Sequence, residues 1–286
     1  MHSILTGALS IEQITVAIAN LPPSLAGKTL VQLSDFHYDG VRLSDDLLQQ
    51  AIQASNQAKP DLVLLTGDYV TDDPKPIHQL VSRLKHLQSR AGIYAVLGNH
   101  DYYYRHSKAE VTNALSSIGI SVLCNQVAYP LGERLALVGL GDKWSKEFLP
   151  ATVMDQLDPN IPRIVLSHNP DTAQILSAWR VDLQLSGHTH GGQIWLPGLG
   201  PVVHYMRSLK TILRHMPRSQ RLMLPFNLGT CTQVVRHWEW AQGLHRIGTN
   251  QLYVNRGLGT YLPGRLFCPP EVTVIRLIAN CKLANC

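Results

Sequence analysis

Cysteine is scarce in this chain, and the five present (Cys124, Cys231, Cys268, Cys281 and Cys286) include no CxxC pair and no partner at zinc-ligand spacing. That excludes a structural zinc knuckle and a disulfide framework, and it reads as a set of reduced thiols in a reducing compartment. Long apolar runs are also missing. No stretch reaches the roughly 18 residues of a membrane-crossing helix. The opening MHSILTGALSIEQITV lacks the basic and apolar regions of a secretory leader, so a soluble, cytoplasmic protein is expected. Acidic residues are few in one place only. Residues 183–286 hold eleven Lys or Arg against two acids, a balance of +9, whereas residues 1–182 hold 14 against 18, a balance of −4. A basic second half suits an anionic partner such as phosphate, nucleic acid or an acidic membrane surface, and equally a solvated basic face. An acidic first half is what a metal site with its carboxylates concentrated there would produce.

What the chain does contain is 286 residues of ordinary globular composition, 45% hydrophobic and 16% charged. That is enough to build a sizeable core without staples. Apolar segments of strand length recur, each ending on a polar residue: KTLVQLSD (28–35), DLVLLTGD (61–68), GIYAVLGNHD (92–101), RIVLSH (163–168) and DLQLSGHTH (182–190). Helical patterns fall between them at 43–59, with Ser44 as N-cap, at 76–90 and at 107–119. Further strands are expected at 11–18, 120–124, 134–140, 251–255 and 271–278. The alternation predicts an α/β protein with parallel strands, whose ligands bind at the carboxyl ends of the strands. The reading is one domain over 1–286, with a proline-, glycine- and base-rich excursion at about 197–235.

The strand ends deliver Asp35 and His37, Asp68, Asn99 and His100, His168, then His188 and His190. Singly, an Asp after a strand is an ordinary turn residue and a lone His an ordinary core residue. Together they bring oxygen and imidazole donors from five strand ends. Imidazole with carboxylate suits zinc, iron or manganese. Eight donors exceed one tetrahedral ion but suit two ions sharing a carboxylate. Such a pair, about 3.5–4 Å apart, activates water for in-line phosphoryl displacement. The glycines after GHTH, Gly191 and Gly192, are expected to leave room for a phosphate.

The ordered set DFH, GDY, GNHD, H and GHTH resembles the calcineurin-like metallophosphoesterase superfamily across residues 33–190. GGQIWLPG, QLYVNRGLGT and PPEVTVIRL resemble its bacterial branch of phosphodiesterases and UDP-2,3-diacylglucosamine pyrophosphatases. The resemblance implies a four-layer α/β/β/α sandwich and two divalent ions (manganese, iron or zinc) with a bridging hydroxide as nucleophile. It assigns one ion to Asp35, His37, Asp68 and His190, and the other to Asp68, Asn99, His168 and His188. It implies that His100 binds the phosphoryl group or protonates the leaving oxygen. Many relatives place an acid three residues after the shared Asp to orient that His. Here the position holds Thr71, leaving Asp101 and Asp72 as candidate partners, with Asp101 taken as catalytic. Arg256 is a candidate phosphate contact at the end of its strand.

The implied activity is hydrolysis of a phosphodiester or pyrophosphate on a lipid-linked or nucleotide-sugar substrate. A phosphomonoesterase acting on phosphoprotein or small metabolites is the alternative, and a non-catalytic scaffold with this fold is the alternative of another class. An amidohydrolase also uses HxH, but opens with it on its first strand, whereas this chain places HTH late. In 204–216, HYMRSLKTILRHM, apolar residues at helical spacing interleave with cations. That pattern fits peripheral contact with the inner face of a membrane, and also a surface helix packing its apolar stripe. The few aromatics among those cations disfavour nucleic-acid stacking.

Overall fold

TLVQL, LVLL, RIVL and LQLS are buried at almost every position, as strands must be when both faces of their sheet are covered. The computed structural model describes residues 6–206 and 234–280 and shows what covers them. One six-stranded sheet contains β1 (Ser10–Ile18), β2 (Thr29–Leu33), β3 (Leu62–Leu65), β4 (Ile93–Ala95), β5 (Ser121–Val122) and β14 (Glu271–Ala279), in the order β1-β14-β2-β3-β4-β5. The second contains β6 (Gln126–Ala128), β7 (Ala136–Gly139), β8 (Arg163–Leu166), β9 (Leu183–Ser186), β12 (Gly243–Ile247) and β13 (Asn250–Val254), in the order β12-β13-β9-β8-β7-β6. A short antiparallel ribbon pairs β10 (Trp195–Leu196) with β11 (Gly200–Pro201).

Side chains alternate between the layers with the period of two that a strand imposes. Val31, Leu33, Val63 and Leu65 face α1 (Asp45–Gln57), α2 (Ile77–Leu84) and α3 (Ser107–Ser116), whose Leu48, Ile52, Leu80, Leu84 and Val111 close that layer. Leu30, Leu62 and Leu64 point the other way and meet Ile164, Leu166, Leu183 and Leu185 of the second sheet. Outside that sheet, Val138 and Val165 pack on α4 (Ala151–Met154) and α5 (Thr172–Leu176) through Val153, Met154 and Leu176. This is the α/β/β/α sandwich anticipated. Each fully buried Leu between the sheets contributes about 2–3 kcal/mol.

Helix α1 starts where expected: the Ser44 hydroxyl accepts the Leu47 amide at 3.2 Å, and Asp45 and Asp46 occupy the first turn, where the helix dipole favours anions. Helices α2 and α3 end earlier than the apolar pattern suggested. The short edge strands β6 and β12 carry too little alternation to stand out in sequence. Strands β2 to β5 run parallel, as do β7, β8, β9 and β13, so their carboxyl ends gather in both sheets. Among the described residues no helix is long and apolar enough to cross a membrane. The basic stretch 204–216 lies outside the described residues from 207 onward, as do Cys231, Cys281 and Cys286; Cys124 and Cys268 are free thiols.

Candidate metal centre

The loops that leave these strands are strained. Asp35, His37, Asp68, His188 and His190 have φ of 51°, 41°, 55°, 71° and 50°, the left-handed region that costs a non-glycine residue about 1–3 kcal/mol. Neighbouring loops hold them there. The Asp35 amide donates to the Gly67 carbonyl at 2.9 Å, that of His37 to Asp68 at 3.0 Å, and that of Gly187 to His168 at 3.0 Å. Close approach is equally demanding: a Cβ on Gly187 would stand 2.1 Å from Asp35 Oδ2. Gly191 answers to a different neighbour from the one expected. Its φ is +61° and a Cβ there would strike Cys268 Sγ at 2.5 Å, so this glycine makes room for protein rather than for phosphate.

So placed, the donors form two clusters around Asp68. On one side His190 Nε2 lies 3.5 Å from Asp35 Oδ1 and 3.1 Å from His37 Nε2, which itself stands 3.4 Å from Asp68 Oδ2. On the other, His168 Nε2 lies 3.1 Å from Asp68 Oδ2 and 3.1 Å from His188 Nδ1. The same carboxylate oxygen therefore faces both clusters. Asp68 Oδ1 accepts the His100 amide at 2.9 Å. Asp35, His37 and His190 thus come together, as do Asp68, His168 and His188, and all six are buried.

Hydrogen bonds on the far ring nitrogens decide what the near ones offer. His168 Nδ1 donates to the Thr66 carbonyl at 2.7 Å, His188 Nε2 to Val234 at 3.1 Å, and His190 Nδ1 to Gly259 at 3.1 Å. In the neutral ring the opposite nitrogen is then a bare lone pair. His188 therefore aims a bare Nδ1 lone pair at His168 Nε2 from 3.1 Å, a nitrogen that either carries a proton shared with Asp68 or, once that proton leaves, offers a second lone pair to a cation. Burial pushes the pKa of His188 down to about 3 and that of His190 to about 4, and lowers His37 well below its usual value. Burial acts the same way on His168, but there the Asp68, Asp35 and Asp142 carboxylates outweigh it and lift the value to about 10. A further sign is Asn99: its Oδ1 is buried and has no hydrogen-bond partner, a cost of about 1–3 kcal/mol unless a ligand uses it. Imidazole, carboxylate and amide oxygen donors of this kind fit divalent metal ions.

The residues around the clusters differ in several respects from expectation. His100 Nδ1 meets the Thr71 carbonyl at 2.5 Å, so a backbone oxygen takes the place of the anticipated acid. Asp72 is exposed. The Asp101 carboxylate is occupied by backbone amides: Gly98 at 2.8 Å, Asp68 and Tyr69 at 2.9 Å, and Val70 at 3.4 Å. Burial and the nearby Asp68 charge push its pKa up to about 7, against the pull of those amides. Arg256 is likewise engaged internally, with Glu12 at 2.6 Å, Glu271 at 3.1 Å and the Pro269 carbonyl at 2.9 Å. Its place at the end of β13 fixed only its Cα, and the guanidinium reaches back to β1 and β14. Tyr261, which no motif flagged, puts its hydroxyl 3.0 Å from His37 Nδ1, with Arg42 stacked 4.5 Å over its ring.

Comparison with known proteins agrees with this geometry. A model of calcineurin-like phosphoesterases matches residues 28–192. The chain is 34% identical over 252 residues to the phosphodiesterase YaeI of Escherichia coli, covering 86% of this chain and 80% of that one. It is 29% identical to the uncharacterized metallophosphoesterase YkuE of Bacillus subtilis, with coverage of 92% and 83%. It is 28% identical to the UDP-2,3-diacylglucosamine pyrophosphatase LpxG of Chlamydia trachomatis, with coverage of 91% and 87%.

Proposed function

The chain belongs to the calcineurin-like phosphoesterase family, a metal-dependent hydrolase of phosphoester bonds, and from that premise we propose a phosphodiesterase or pyrophosphatase whose substrate joins its phosphate to a lipid or a nucleotide sugar. Asp68 carries the assignment of a two-ion centre, because its Oδ2 lies 3.4 Å from a His37 nitrogen and 3.1 Å from a His168 nitrogen. One ion would be held by Asp35, His37, Asp68 and His190, the other by Asp68, Asn99, His168 and His188. Manganese, iron and zinc all suit these donors. When bound, such ions supply Lewis acidity to a water molecule and to the phosphoryl oxygens. With Nδ1 committed to Thr71, His100 presents Nε2 to bind a phosphoryl oxygen or to protonate the departing one.

Support for an amphipathic substrate comes from the loop after β13. Tyr261 turns inward to His37, while Leu262, Leu266 and Phe267 stand 85%, 50% and 65% exposed beside it. Apolar surface next to a phosphate site suits a molecule with both characters. Relatives named phosphodiesterase and UDP-2,3-diacylglucosamine pyrophosphatase point the same way. We extend the proposal to peripheral membrane contact through 204–216 on its sequence pattern alone. The whole is carried on one domain from which 197–235 departs.

The test is a turnover screen of manganese-loaded protein on bis-p-nitrophenyl phosphate, p-nitrophenyl phosphate, and UDP-diacylglucosamine with its deacylated counterpart. Diester and pyrophosphate turnover above monoester turnover is expected, with the acylated substrate preferred. A monoester preference would move the protein to the phosphomonoesterases. Absence of both bound metal and turnover would make it a scaffold.

A further inference from the structure

Arg265 is buried, yet no carboxylate among the described residues lies within ion-pair distance of it. Its partners are instead almost all carbonyl oxygens. Nη2 reaches Gly259 at 2.7 Å, Arg256 at 2.8 Å and Gly257 at 3.1 Å; Nη1 reaches Cys268 at 3.2 Å and His190 at 3.4 Å; Nε donates to the Thr260 hydroxyl at 3.1 Å. A buried cation without a direct ion pair is expensive, and the Asp35 charge acts on this one only from a distance. The carbonyls it gathers belong to the two loops that build one side of the metal centre.

The contacts lead to specific donors. The Gly259 carbonyl that accepts from Arg265 also accepts His190 Nδ1 at 3.1 Å, which sets the tautomer that frees Nε2. The Gly259 amide donates to the Asp35 carbonyl at 2.7 Å, and Leu258 donates to Ser34 at 3.0 Å. A Cβ on Gly257 would collide with Asp35 Cβ at 2.5 Å, so the 256–260 segment lies directly against that ligand. By contrast, the hydrogen bonds of Arg265 reach none of Asp68, Asn99, His168 or His188.

We propose that Arg265 is a positioning residue chiefly for the Asp35–His37–His190 ion, holding His190 and Asp35 in place through shared backbone carbonyls. Loss of its donors leaves those carbonyls unpaired and lets Gly259 shift, so His190 no longer presents Nε2 rigidly. Partners of this kind change metal affinity by about 10–100-fold. The other ion is affected less, because the His168 and His188 rings are fixed by the Thr66 and Val234 carbonyls, and that side is linked to Arg265 through the His188 amide, which donates to Asp35 at 3.0 Å.

Manganese titration of the metal-free protein, followed calorimetrically, tests the assignment. Two binding events are expected in the parent. In Arg265→Gln one event weakens about 10-fold or more and the other much less. His190→Ala removes the same event, and adding Arg265→Gln to it produces no further loss, the non-additivity expected of residues acting as a unit. Arg265→Lys, with the charge but not the planar fork, falls between parent and Gln. It decides the matter by the same criteria if circular dichroism shows that the Gln variant does not fold. Equal weakening of both events, unchanged binding, or loss of the event that survives in His190→Ala overturns the proposal. The readout is metal binding, so failure of the substrate assignment leaves it standing, and the reverse.

Discussion

The two sides of the metal centre are braced by opposite charges. Around Asp68 and Asn99, backbone amides left over at the ends of β3 and β4 converge on the Asp101 carboxylate. Around Asp35 and His190, the carbonyls left over at the ends of β9 and β13 converge on the Arg265 guanidinium. Both solve one problem: a strained turn at a strand end strips donors and acceptors of their ladder partners, and buried backbone groups must be paired. Which charge appears depends on which groups the turn points inward. The two halves meet in Asp68, whose Oδ2 faces both, so they differ in support but share a ligand.

Removing the shared ligand should collapse the distinction. Asp68→Ala is expected to abolish both binding events in a manganese titration and to lower kcat by at least about 10³-fold, the scale of losing one member of a catalytic unit. Retention of either event at parent affinity would show that the halves are independent sites rather than one centre.

Asp101→Asn probes the anionic brace. Asn keeps one accepting oxygen but turns an NH2 group toward amides that need acceptors. With buried donors left unpaired, about 2–4 kcal/mol of stability should be lost, a fall in Tm of roughly 5–10 °C at this size. Because Asp101 also holds the amide of the shared Asp68, both manganese events should weaken, and the one that survives His190→Ala should weaken more. A stable variant that weakens the other event more would mean that the bracing does not follow the division between the halves.

Much of the centre is legible in the chain, for a physical reason. Parallel strands deliver their next residues to a common edge, so polar residues closing apolar runs at Asp35, Asp68, Asn99, His168 and His188 mark it without further help. The parallel α/β character is legible because LVLL and RIVL are apolar on both faces, whereas the four-layer arrangement followed from the family resemblance. The braces leave no such mark. Asp101 and Arg265 bind main-chain atoms, which every residue has, so no pattern of side-chain types announces their partners. His100 illustrates the same limit, since a Thr71 carbonyl serves where a side-chain acid was sought. The hairpin of β12 and β13 was within reach, since Gly248 sits in its turn at φ 61°, but HRI alone is too weakly apolar to stand out as a strand.

The smallest effect on activity should come from Arg256, the arginine whose position in sequence was the more suggestive. Its guanidinium ties β1 to the start of β14 through Glu12 and Glu271, and its backbone carbonyl, not its side chain, is what Arg265 uses. Arg256→Gln should therefore leave kcat within about threefold of the parent, since a change remote from the reacting atoms alters little transition-state binding. Stability should respond instead. Glu12 is 39% exposed, so water screens its pair to a few tenths of a kcal/mol. Glu271 is buried, but keeps the Tyr253 and Thr273 hydroxyls, so the loss there should be about 2 kcal/mol, below the usual cost of breaking a buried pair. The hydrogen bond from Arg256 is the largest influence on Glu12 and lowers its pKa in the folded chain. A depressed carboxyl pKa means stability that is complete above the unfolded value and lost as pH falls through the folded one. The Glu12 share of the Tm gap between parent and variant should thus be present at about pH 7 and shrink as pH falls below the ordinary glutamate range. A variant of unchanged Tm that loses turnover a hundredfold would return Arg256 to the substrate and leave β14 tied by something else.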